Sequence, residues 1–144
     1  MLRRLTLALC LAVSIAGPSA TAGLAQEQGE ALVLELNGAQ PSDKGCRLTF
    51  VVTNRLKGDL TQAAFEIALF NEHGVVDRLT VLDFRDLPIG KTKVTRFDLS
   101  GVDCTKISRV LVNHATDCVG EGVEPTACLR RLDPQSKAAI SFGV

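Results

Sequence analysis

Few residues in this chain could do chemistry: five cysteines, two histidines and scattered carboxylates. Four of the cysteines, Cys46, Cys104, Cys118 and Cys128, are separated by 57, 13 and 9 intervening residues. A four-thiolate zinc centre expects close pairs such as C-x2-C, and a dithiol oxidoreductase expects C-x-x-C at the opening of a helix. Neither pattern is present. What remains for these thiols is structural pairing in an oxidising compartment, where four cysteines allow three connectivities.

His73 and His114 are the only histidines, so a two-histidine metal site would have to draw on carboxylates such as Asp77 or Asp117. His73 falls at a turn tip and His114 at a strand end, places where solvated imidazole is the ordinary reading. Gly90-Lys91-Thr92 echoes the end of a phosphate loop, but the earlier glycine is missing and a strand follows, so it is read as a turn. Ser, His and Asp all occur without a G-x-S-x-G elbow, and Asp83 and Asp86 flank Arg85 as a solvated strand end would. No catalytic residue, cofactor or metal ligand is therefore assigned, and the chain is read as non-enzymatic. The alternative is a metal-handling or hydrolytic protein with a site assembled from His73, His114 and scattered Asp and Glu.

One loop stands out. Asp117, Glu121 and Glu124, set among Gly120 and Gly122, would present a rigid acidic surface if a disulfide closed the segment, which makes them the candidate interaction loop. The plainer reading is a connection tied down by its bridge. Calcium takes oxygen ligands, but the spacing matches no known calcium loop.

The address comes from the N-terminus. Arg3 and Arg4, the apolar run over residues 5–16 and the small, helix-breaking residues 17–22 read as a cleavable secretory signal. Cleavage is expected after Ala22, with a second site after Ala25, and ordinary secretion is preferred to twin-arginine export. Lipidation at Cys10 is disfavoured because bulky Leu9 precedes it. The apolar run is too short for a spanning helix of about 20 residues. The division is therefore signal peptide 1–22, disordered lead 23–30 and one domain 31–144, periplasmic or secreted, with no stable membrane insertion after cleavage.

Removing residues 1–22 takes two of sixteen basic residues and none of the sixteen acidic ones, leaving a formal charge of −2. Nucleic-acid binding is excluded on that ground, since it needs clustered Lys and Arg. Six Phe are the only aromatic residues of the Phe, Tyr and Trp set. Without Trp or Tyr the chain has poor sugar or base platforms and no interfacial girdle for an outer-membrane barrel.

The elements that would position these residues are strands, because apolar residues recur with period two. Leu32, Leu34 and Leu36 share one face; Cys46, Leu48, Phe50 and Val52 share the next. Phe65, Ile67 and Leu69 follow, then a hairpin tip at residues 71–74. The segment 75–84 is ambiguous, since Leu79 and Val81 oppose Leu82 and Phe84, and a sheet crossing or a bulge is expected there. Thr95, Phe97 and Leu99, then residues 107–113, then Ala138, Ile140 and Phe142 complete seven strands. Residues between 113 and 138 are read as one long acidic loop.

Seven short strands with frequent turns imply a β-sandwich. The runs L48-T-F-V-V-T-N54 and L87-P-I-G-K-T92, the latter leading into Val94, Phe97 and Leu99, resemble the second and fifth strands of bacterial immunoglobulin-like or fibronectin III-like extracytoplasmic domains. The resemblance implies an all-β, seven-stranded antiparallel immunoglobulin-like sandwich, with Phe65 in the place of the usual core Trp. Export, the all-β pattern, two bridges and the lack of a catalytic set leave, by exclusion, a role by contact with a protein partner in the cell envelope. In an up-and-down order the second and sixth strands start at the same end, which favours Cys46 with Cys104 and Cys118 with Cys128 over the two other pairings.

Overall fold

The computed structural model describes residues 29–144; the signal segment, Cys10 and residues 23–28 of the lead lie outside them. Period-two patterning builds most of the structure. Strand β1, Leu32–Ser42, turns back into β2, Gly45–Asn54, and the pair is antiparallel. Strands β3, Leu60–Asn71, and β4, Val76–Leu87, form a second antiparallel pair. At their tip Asn71 Oδ1 accepts from the N–H groups of His73 and Val75, both at 3.0 Å, while Gly74 takes φ 73°. Strand β5, Thr92–Ser100, returns to pair with β2. A 3₁₀ turn, Cys104–Lys106, leads into β6, Ile107–Val119, which pairs with β3.

The remainder departs from expectation. Residues 120–140 are not one loop: a single helical turn, α1, Ala127–Arg130, is followed by β7, Leu132–Ser136, and then by β8, Ser141–Gly143. There are thus eight strands in two four-stranded sheets, ordered β5-β2-β1-β7 and β4-β3-β6-β8. Both sheets are mixed, because β7 runs parallel to β1 and β8 parallel to β6. The seven-stranded, wholly antiparallel arrangement is corrected accordingly. After β7 the chain changes sheets, so one terminal segment extends both sheets on the same flank.

Each sheet has one apolar face, and the two faces meet to form the core. From one side come Leu32, Leu34, Leu36, Cys46, Leu48, Phe50 and Val52; from the other, Phe65, Ile67, Leu69, Leu82, Phe84, Val110 and Val112, all buried. Phe50 lies at the centre, with its ring edge-on to Phe84 and Phe142 at 5.6 Å and to Phe97 at 6.0 Å.

The segment 75–84 carries the expected bulge-type irregularities, at Asp77 and Phe84, and stays in one sheet, so no crossing occurs. Arg78, Thr80, Leu82 and Phe84 alternate regularly inward, with Arg78 opposite Leu69, Thr80 opposite Ile67 and Leu82 opposite Phe65. Leu79 and Val81 simply point out, with 54% and 51% of their surface exposed. The register breaks of this pair bracket that run, at Asp77 and Phe84, with a third between Leu60 and Ala63.

Asn54 is the one fully buried polar residue among those described, and it ties three segments together. Its Nδ2 donates to Leu87 O at 2.8 Å and Gly58 O at 3.0 Å, and its Oδ1 accepts from Leu56 N at 2.9 Å. Truncating it strands two carbonyls and an N–H away from water. Asn54→Ala is therefore expected to destabilise by about 2–3 kcal/mol. Urea denaturation that shows less than about 1 kcal/mol would mean the loop at residues 55–59 is held by other contacts.

Both disulfides form as expected, Cys46 with Cys104 and Cys118 with Cys128. β2 and β6 indeed begin at the same end of the sandwich, which brings the Cys46 and Cys104 Cα atoms to 5.0 Å. Two such bridges fit an oxidising compartment. No helix among the described residues is long and apolar enough to cross a membrane.

Candidate functional site

The three carboxylates of the candidate interaction loop do not act as one surface. Asp117 belongs to β6, opposite Ala64 on the outer face, whereas Glu121 and Glu124 lie beyond the strand in the segment that the Cys118–Cys128 bridge closes. That segment is pressed onto the loop at residues 55–59. A Cβ on Gly120 would collide with Asp59 O, and one on Gly58 would lie 2.6 Å from Glu121 O, so only glycine permits backbone to meet backbone there. Beside this contact is a cleft of about 400 Å³ where Glu124 and Glu30 face Lys57, Arg130 and Arg131. Lys57 Nζ lies 3.2 Å from Glu30 Oε1. The loop is thus balanced by cations and anchored by its bridge, and its acidic character is local.

The other candidates are spread around the sandwich. His73 sits at the β3–β4 tip, 3.7 Å from Glu72, while His114 Nδ1 on β6 lies 3.5 Å from Glu66 Oε1. No group of three or more His, Cys, Asp or Glu that could hold a metal exists among the described residues. Gly90 takes φ 72° in a turn, and Thr92 opens β5 with its hydroxyl 2.9 Å from that of Thr53. Asp83 Oδ1 accepts from Gln62 Nε2 and from Arg85 N, both at 2.8 Å, and Asp86 lies 3.4 Å from Lys93. Each group is engaged locally.

The perturbed charges also belong to the scaffold. Arg47 grips Asp98 with two hydrogen bonds, 2.9 and 3.0 Å, which hold the Asp98 carboxyl below the usual range and raise Arg47. The Asn37 amide lowers Glu35, helped by Lys137, and the Thr105 hydroxyl and N–H lower Asp103. A carboxyl depressed in the folded state stabilises above its unfolded pKa, near 4, and that contribution is lost as pH falls through the folded value. The melting temperature is expected to drop below about pH 4, with Asp98→Asn flattening part of the fall. An acid limb identical in wild type and Asp98→Asn would remove Asp98 from this account.

The open flank between β4 and β5 is crossed by two basic side chains. Arg78 Nη1 donates to Ser100 O at 2.7 Å, and Lys93 Nζ donates to Phe84 O at 3.1 Å and Asp86 O at 3.0 Å. Arg85, at φ 60°, further interrupts the β4 edge. On the opposite flank β7 carries Pro134 and β8 has three residues. Strand addition is thus obstructed at β4, β7 and β8, while β5 keeps a regular nine-residue edge.

What the sequence reading missed is the outer face of β4-β3-β6. Val76, Leu79 and Val81 are 49%, 54% and 51% exposed, and they sit opposite Phe70, Ala68 and Glu66. Ala68 in turn faces Leu111 and Phe70 faces Arg109 across β6, where the Arg109 guanidinium lies 5.4 Å from the Phe70 ring. The face is an apolar belt with a basic end at Arg109 and an acidic end at Asp83 and Asp117. The opposed parity of Leu79 and Val81 against Leu82 and Phe84 was the signal, had both faces of β4 been taken as apolar. Compared with known proteins, the chain matches no protein-family model, no curated protein and no solved structure.

Proposed function

We propose that this chain is an exported, non-catalytic module of immunoglobulin-like architecture that acts by protein contact in the periplasm. The observation that carries the reading is the apolar outer face of β4-β3-β6. A monomer that only needs to stay soluble has no reason to leave Val76, Leu79 and Val81 half exposed in one row beside Phe70 and Leu111. Support for export comes from the basic-apolar-small N-terminus together with the two bridges. The order of β1 to β6, with β2 flanked by β1 and β5 and β3 flanked by β4 and β6, supports the architectural likeness.

A photoreactive residue at position 79 tests the contact in the intact envelope, with position 96 on the outward side of β5 as the control. Irradiation is expected to yield protein adducts from 79 and none from 96. Equal yields from both positions, or none from either, would take the face out of the function.

A further inference from the structure

The occupant of this face can be narrowed by its charge pattern. Arg109 and Asp117 are both exposed on β6, and neither has an ion-pair partner among the described residues. Arg109 lies opposite Phe70 and Asp117 opposite Ala64, so the two charges are six β3 residues apart, about 20 Å at strand rise. Between them lie two rows: Leu79, Ala68 and Leu111, then Val81, Glu66 and His114. Glu66 already accepts from the Asn113 amide at 2.7 Å, with His114 Nδ1 3.5 Å away.

We infer that the face is covered by a second copy of this chain, related by a two-fold axis that lies in the plane of the face and crosses the strands between the Leu79 and Val81 rows. The inference rests on the contact function proposed above. Such an axis brings each basic end over the other copy's acidic end: Arg109 meets the partner's Asp117, and Leu79 meets the partner's Val81. The interface is then isologous: Leu79 and Val81 of the two copies meet at its centre, Ala68 and Leu111 cover the partner's Glu66 and His114, and two symmetric charge pairs close its rim. The other simple two-fold, along β3, would lay β6 over the partner's β4 and set the Asp117 carboxylate against the partner's Asp83. Face-to-face stacking of two twisted sheets at roughly −30° accommodates the first arrangement. On the sheet that carries this face, the long edge of β4 is interrupted by Arg85 and crossed by Lys93 and Arg78, so the face and not that edge is the surface the copies share.

Sedimentation equilibrium on the purified, disulfide-intact protein, across about 1 μM to about 1 mM, reads the association directly. Wild type is expected to be a reversible dimer, and Leu79→Asp a monomer throughout. Arg109→Asp and Asp117→Arg should each weaken the dimer by about tenfold or more, since every change occurs twice, and the combined swap should recover to within about threefold of wild type. All these side chains point outward, so circular dichroism and melting temperature should stay near wild type in each variant. A wild-type monomer over the whole range overturns the self-pairing, as does a combined swap no better than the single changes. If the protein is monomeric yet position 79 still cross-links a different protein, only the self-pairing falls and the contact function stands. Silence from position 79 removes both.

Discussion

Replacing Cys104 with serine is expected to lower the stability of the domain by about 4 kcal/mol, and replacing Cys118 by about 2.5–3 kcal/mol. The difference follows from chain entropy. The Cys46–Cys104 bridge closes a sequence separation of 58, the Cys118–Cys128 bridge one of 10, and the longer closure removes more freedom from the unfolded chain. Position also favours the larger effect, since Cys46 is fully buried at the start of β2 and its bridge joins the strand to the 3₁₀ turn before β6. The shorter bridge clamps a surface segment whose backbone is further held by the Cys128 N–H to Cys118 Sγ contact of 3.3 Å. At roughly 4 °C per kcal/mol for a domain of this size, the two variants should melt about 5 °C apart. The paired variants C46A/C104A and C118A/C128A should keep the same order. Equal losses would mean that the unfolded ensemble is compact enough to hide the difference in loop length.

Phe50→Ala is the second large effect, with an expected loss of about 3–5 kcal/mol. The ring is fully buried, and it touches Phe84, Phe97 and Phe142, which come from β4, β5 and β8. Those neighbours cannot all collapse into the vacated space, because each is fixed by a different strand, Phe97 in the sheet of Phe50 and the other two in the facing sheet. Part of the cost is therefore cavity, beyond the lost transfer energy. A net stability of about 5–15 kcal/mol leaves little reserve against such a loss. Phe50→Leu, which keeps much of the volume, should lose about 1.5 kcal/mol or less. Urea titrations of both variants at unchanged m decide the point; an alanine variant within about 1.5 kcal/mol of wild type would show a softer centre than the contacts describe.

Where side chains alternate strictly, the strands were legible from residue order alone. The inward sets Leu32-Leu34-Leu36, Cys46-Leu48-Phe50-Val52, Phe65-Ile67-Leu69 and Thr95-Phe97-Leu99 all lie where period two puts them. So did both bridges, since strand order fixes which ends meet. The second half of β6 escaped because its inward residues are Val112, Ala115 and Cys118, a spacing of three created where the register shifts past Asn113 and Thr116. β7 escaped because Leu132-Asp133-Pro134 carries no alternation, and its proline is tolerated on an edge where no partner asks for the missing N–H. Leu79 and Val81 were left ambiguous because they are apolar on the face opposite Leu82 and Phe84, and only the folded sheet shows both faces of β4 to be apolar. For the acidic loop, residue type identified the charges but not their neighbours. The cations of the cleft come from residues 57, 130 and 131, which only the folded chain brings beside Glu124.

The parallel pairing of Leu32 with Leu132 sets the tempo at which this domain can assemble. Residues one hundred positions apart must meet before β1 gains its outer neighbour, and β8 must then find β6 in the opposite layer. Contacts of that range put folding on the slow side, milliseconds to seconds rather than microseconds. Ribosomal synthesis supplies β7 and β8 after all six other strands, so the flank they seal is the last part of the sandwich to close. Until then the thiols remain open to whatever oxidant is present, and Cys118 and Cys128, close in sequence, meet sooner than Cys46 and Cys104.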